Sequence, residues 1–183
     1  AVERGTLARS AISPFHARQI QAMNDAGLSK LLTRAWGDLH ETPAEKQQQL
    51  EAWRRKLTAG AVAGADPSRG RLVYNQACAV CHRLFGEGGQ IGPDLTGSDR
   101  RNLDYLLGNI FDPSSVVPAD YRTTVFQLKD GRTLTGVVPE KTERTLTIQT
   151  PAERLTLEKD QITSETQLPV SLMPEGLLDA IGE

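Results

Sequence analysis

The sequence predicts an α+β protein: a mainly helical chain with one small antiparallel β module inserted late and a helical extension at its N-terminus. Three observations carry this. Apolar residues recur at helical spacing through the first sixty positions and again near residues 66–77 and 103–110. From Tyr121 to Leu157 the pattern turns to alternating Thr, Val, Ile and Leu, punctuated by Asp130-Gly131. From Ser171 to Leu178 it returns to a loop and a short helix.

In the extension, Ser13-Pro14 is a helix start, a cap residue followed by Pro at the first helical position. Ile20 and Met23 are the expected apolar positions of that helix, Met23 as a core residue. Leu28, Leu31, Leu32, Ala35 and Trp36 mark one face of a second helix, which Gly37 is expected to end. Thr42-Pro43-Ala44-Glu45 reads as a capping box for a third helix burying Leu50, Trp53 and Leu57. The small residues 60–65 read as a linker, so the extension is assigned to residues 1–60.

The second domain is assigned to residues 66–183. Asp66-Pro67 opens a helix with Leu72, Val73 and Ala77 as its apolar face. A Gly-rich loop from Gly86 to Gly97 follows. The next helix presents Leu103, Leu106, Leu107 and Ile110 and stops at Asp112-Pro113. The β-rich insertion, residues 119–164, holds Thr123–Leu128, Thr133–Val138, Thr145–Gln149 and Arg154–Leu157 as strands, with a fifth at Gln161–Thr163. So small a sheet needs further packing for stability.

Composition excludes several classes of function. The 183 residues carry 21 Lys+Arg and 23 Asp+Glu, a net charge of −2, which gives no basic field for nucleic acid. No apolar run is long enough to span a membrane. Residues 1–10 lack an apolar stretch and a cleavage site, and read as the interior of a longer protein. Two cysteines make neither a disulfide framework nor a four-cysteine zinc site.

Those cysteines sit together, in Cys78-Ala79-Val80-Cys81-His82. Cys-x-x-Cys-His is the attachment signature of c-type haem. Two thiols one helical turn apart can meet the two vinyl groups of a porphyrin, and the following imidazole can ligate its iron. A thioredoxin-type dithiol would follow a strand, whereas here a helix precedes the pair. A zinc site would lack a fourth ligand. The sixth iron position falls to Met173, Met23, His16, His40 or nothing. Met173 is favoured, because it lies in irregular backbone between Leu172 and Pro174. Met23 reads as core, and His16 and His40 as structural. Gly92-Pro93-Asp94-Leu95 suggests that the Pro93 carbonyl accepts the second ring N–H of His82, which fixes the tautomer.

From Gly70 to Leu178 the chain resembles class I cytochromes c, and more closely the planctomycete-type haem-binding domain of that superfamily. The resembling stretches are CAVCHRLFGEGGQIGPDLTG, YLLGNIFDPSSVV, LKDGRTLTG and SLMPEGLLD, in that order. The resemblance implies a mainly α cytochrome c fold with the β module inserted before the axial-Met loop. It implies one haem c on Cys78 and Cys81, with His82 proximal and Met173 distal. It also implies an exported or periplasmic location, and a redox partner protein or fused dehydrogenase-like domain in a larger oxidoreductase. Leu84, Ile91, Leu95, Leu103, Tyr105, Leu106 and Leu172 are the expected haem-pocket residues. Tyr105, Arg100 or Arg101 could bond a propionate, although both arginines also read as a solvated helix start. Class I cytochromes end in a helix crossing the first near its Gly, here Gly70. The sequence stops at Glu183, so residues 14–59 are one expected replacement. The function so implied is one-electron transfer rather than catalysis. The alternative is a haem sensor or peroxidase-like domain with a labile distal site, and the β module could also be a docking element.

Overall fold

The computed structural model describes Ile12 and residues 14–36 and 42–181. Gly37 and His40 lie outside the described residues. The elements fall into two compact units: residues 1–40 with 116–172, and residues 41–115 with 173–183.

In the first unit, α1 (Pro14–Ala22) and α2 (Ala26–Trp36) pack on one another. Ala17, Leu32 and Val116 form their buried cluster, flanked by Ile12 and Ile20. Met23 is not a core residue. The helix ends at Ala22, the chain turns through Asn24 at φ 50°, and Met23 is left 64% exposed. Leu28 and Leu31 also face outward, so α2 buries a stripe narrower than its sequence offers.

The rest of this unit is a five-stranded antiparallel sheet: β3 (Arg122–Leu128), β4 (Thr133–Lys141), β5 (Thr145–Gln149), β6 (Arg154–Glu158) and β7 (Ile162–Ser171). Strand order is β6-β5-β4-β3-β7, a meander whose last strand returns beside its first. At the β3–β4 hairpin Gly131 takes φ 88°, and Asp130 accepts from the Arg132 N–H. The core comprises Phe126, Leu128, Leu146, Ile148 and Leu157. The fifth strand is far longer than Gln161–Thr163. It lies at the edge of the sheet and is exposed along nearly all its length, so it carries none of the alternation that marks a half-buried strand.

The second unit opens with α3 (Ala44–Lys56). Pro43 stands at its N-cap without a side-chain bond, so the expected capping box does not form. The expected linker contains a further helix, α4 (Ala59–Ala63). Thr58 caps it by accepting from the Ala61 N–H, and alanine supplies its helix propensity. α5 (Pro67–Ala77) starts as expected, with the Asp66 carboxylate accepting from the Ser68 N–H. A hairpin of two-residue strands, β1 (Arg83–Leu84) with β2 (Glu87–Gly88), leads into the Gly-rich loop.

α6 (Leu103–Phe111) buries Leu107 and Phe111, and Asn102 caps it by accepting from the Tyr105 N–H. Asn102→Ala is expected to cost about 1 kcal/mol, measured as a lower denaturation midpoint. α6 runs antiparallel to α3: Lys46 near the start of α3 pairs with Asp112 beyond the end of α6, and Arg54 pairs with Asp104 in the first turn of α6. The short α7 (Leu177–Ile181) touches both α5 and α6.

Candidate haem-attachment site

The motif residues are set by the way α5 ends. Cys78 is its C-cap and donates its N–H to the Tyr74 carbonyl at 2.8 Å. The Cys78 carbonyl then accepts from Cys81 at 3.1 Å and His82 at 2.9 Å, so the pentapeptide folds into one tight turn. The next segment wraps back over it. Gly89 donates to Ala79, Gly92 to Cys81 and Leu95 to Arg83, each at 2.8 Å.

The His82 imidazole is fixed from two sides. Its Nδ1 lies 2.9 Å from the Pro93 carbonyl. A carbonyl only accepts, so Nδ1 carries the proton and Nε2 keeps its lone pair for a metal. Gly92 lies against the ring: a Cβ built there would sit 2.5 Å from Cε1 and 2.7 Å from Nδ1. No side chain fits at that position without moving the ring.

Tyr74, one turn before Cys78, donates its hydroxyl to the His82 carbonyl at 2.8 Å. Burial pushes its phenol up, and the neighbouring Cys78 and Asp94 add to that. Sequence reasoning missed Tyr74, because it lies outside the motif and its i, i+8 partner is a backbone carbonyl. The only available signal was an aromatic residue four positions before the first cysteine.

Cys78 and Cys81 are not joined in a disulfide, and both are half-buried. Burial pushes the Cys78 thiol up, with Cys81 adding to the effect, and burial alone raises Cys81. A redox dithiol needs a thiolate of lowered pKa, and neither cysteine offers one. Among the described residues no three His, Cys, Asp or Glu groups are placed to hold a metal ion, which counts against the zinc reading as well.

The surroundings suit an amphipathic, dianionic macrocycle. Val80 and Phe85 expose apolar surface in and beside the motif. The Arg83 and Arg100 Nε atoms are buried without a hydrogen-bond partner, donors that carboxylates could satisfy. Arg100 is not the solvated residue of a helix start. Its guanidinium lies over the Phe85 ring at 4.8 Å and donates to the Thr96 carbonyl. Arg101 is exposed.

Of the expected pocket residues, Ile91 is buried, and Leu84, Leu95, Leu103, Tyr105 and Leu106 are half-buried in the same unit as the motif. Leu172 is half-buried and counts with the other unit. Among the four axial candidates, Met173 is half-buried and shares a unit with His82, whereas Met23 and His16 belong to the other and are exposed.

The Met173 loop is held at Glu175. The Lys46 ammonium bridges Glu175 at 2.6 Å and the buried Asp112 at 3.0 Å. Burial works to lower the Lys46 pKa, but the bonds and charges of Glu175 and Asp112 outweigh it and raise it. Among the described residues no helix is long and apolar enough to cross a membrane.

No curated protein matches the chain. Residues 67–134 match the family model of cytochrome c. The chain thus carries a cytochrome c domain, with haem c attached covalently through Cys78 and Cys81.

Proposed function

We propose that this chain is a monohaem electron-transfer module with His82 and Met173 as the axial ligands of its iron. The haem, when bound, supplies a one-electron ferric/ferrous couple. The observation that carries the proposal is the His82 ring itself. Its Nδ1–H is committed to Pro93 and its edge is packed on Gly92, so Nε2 is presented in one tautomer and one orientation. A thioether on the opposite side favours the ferrous state and raises the potential above that of a bis-His centre. With both axial positions filled by protein, the module passes electrons and binds no substrate at iron.

The finer reading assigns residues 66–183 to the haem domain and 119–164 to a β-rich insertion, as in the planctomycete-type proteins that the motifs resemble. It is supported by the chain path, which leaves the haem-bearing unit after Ser115 and re-enters it at Met173. The contacts of α3 with α6 extend that domain into the N-terminal helices. Thioether attachment of haem is an extracytoplasmic chemistry in bacteria, so the module belongs in an exported protein. There it accepts electrons from a docked or fused oxidoreductase.

The test is an absorption spectrum of the matured protein, oxidised and reduced. Low-spin reduced bands, with a weak long-wavelength sulfur-to-iron band in the ferric form, are expected. Met173→Ala is expected to remove that band, give a high-spin ferric haem and lower the potential. A parent protein already high-spin and lacking the band would instead favour the sensor or peroxidase-like alternative.

A further inference from the structure

We propose that Lys46, in the helix preceding the haem-binding segment, is a positioning residue for the axial Met173. The inference rests on the His82/Met173 reading. Lys46 holds Glu175, two residues past the sulfur ligand, and holds Asp112 beyond the end of α6 with the same ammonium. Pro174 makes this anchor felt at Met173. Its ring locks its own φ, and it confines the preceding residue to extended backbone. A chain fixed at Glu175 therefore has little freedom left at Met173.

The two arms of the bridge differ in strength. Glu175 is half-exposed, so its pair with Lys46 is screened and contributes modestly. The Asp112 side chain is only 7% exposed, so removing Lys46 strands a buried carboxylate. A second pair, Arg54 with Asp104, docks the other end of α3 on α6. Loss of the Glu175 arm alone thus frees the loop while α3 stays in place.

The experiment uses the full chain with its haem attached. Exogenous imidazole is titrated against the ferric protein, where it competes with the Met173 sulfur. Glu175→Gln is expected to tighten imidazole binding about threefold, with the thermal midpoint unchanged. Lys46→Gln is expected to tighten it about tenfold, and Lys46→Arg to stay near the parent. Hydrogen exchange at the amides of residues 173, 175 and 176 is expected to quicken in Glu175→Gln, a readout independent of iron. Lys141→Gln, which breaks a comparable pair with Glu165 on the sheet, serves as the control and is expected to match the parent.

A parent that shows the sulfur-to-iron band while Glu175→Gln leaves imidazole binding and exchange unchanged overturns the proposal alone. A Glu175→Gln protein that melts earlier but binds imidazole as the parent does also overturns it, because the bridge is then merely structural. A parent without the band overturns the axial reading, and the proposal with it.

Discussion

Gly92→Ala is expected to leave haem covalently attached but to spoil its proximal bond. The thiols of Cys78 and Cys81 do not depend on Gly92, so denatured protein should still stain for haem. The imidazole does depend on it. A Cβ at residue 92 would overlap Cε1 and Nδ1 and come within 3.0 Å of Nε2, which is the whole near edge of the ring. The ring must tilt away, and tilting breaks the Nδ1–H bond to Pro93. Losing such a supporting hydrogen bond weakens metal ligation about 10- to 100-fold. The measurement is the reduced spectrum together with a redox titration. A spectrum and potential that superimpose on the parent's would show that the ring has room the geometry denies it.

Phe126→Ala should have the largest effect on stability. Phe126 is fully buried and is the largest side chain of the cluster it shares with Leu128, Leu146, Ile148 and Leu157. Removing a buried ring of this kind costs about 4 kcal/mol, the lost transfer energy plus the cavity left behind. A single five-stranded sheet has little surplus to absorb that. Denaturant unfolding followed by far-ultraviolet circular dichroism is expected to show the loss as a lower midpoint at unchanged slope. A change below about 1 kcal/mol would mean that the cluster is not the core of the sheet.

What was legible in the sequence follows from which signals are local. The cap at Asp66-Pro67, the turn at Asp130-Gly131, the stop at Asp112-Pro113 and the Cys78–His82 motif each act within a few residues, and each element lies where its signal put it. The hydrogen bond from His82 to Pro93 was legible too, because a ligand histidine needs an acceptor and the rigid loop offers one. Burial was less legible. Leu28, Leu31, Leu72 and Val73 have helical spacing and still face outward, since periodicity gives the side of a helix and not what covers it. β7 was largely missed because an exposed edge strand needs no apolar face. The Lys46 bridge was invisible, as residues 46, 112 and 175 meet only once the chain has folded.

The pairing of β7 with β3 bears on how Met173, the axial ligand proposed above, can be kept at hand although it is so distant in sequence from Cys78 and Cys81. Arg122 and Ser171 face each other across those two strands, so the excursion between α6 and Met173 starts and finishes at one place. For the haem-bearing unit, the long intervening segment then behaves as a tether of only a few residues. Loop-closure entropy grows with the logarithm of length, so shortening the effective tether about fivefold saves about 1.4 kcal/mol. On the proposed ligation the sheet works as a clasp: whatever other surface it offers, its hydrogen-bonded neck reduces the entropy lost when the methionine is brought to the iron.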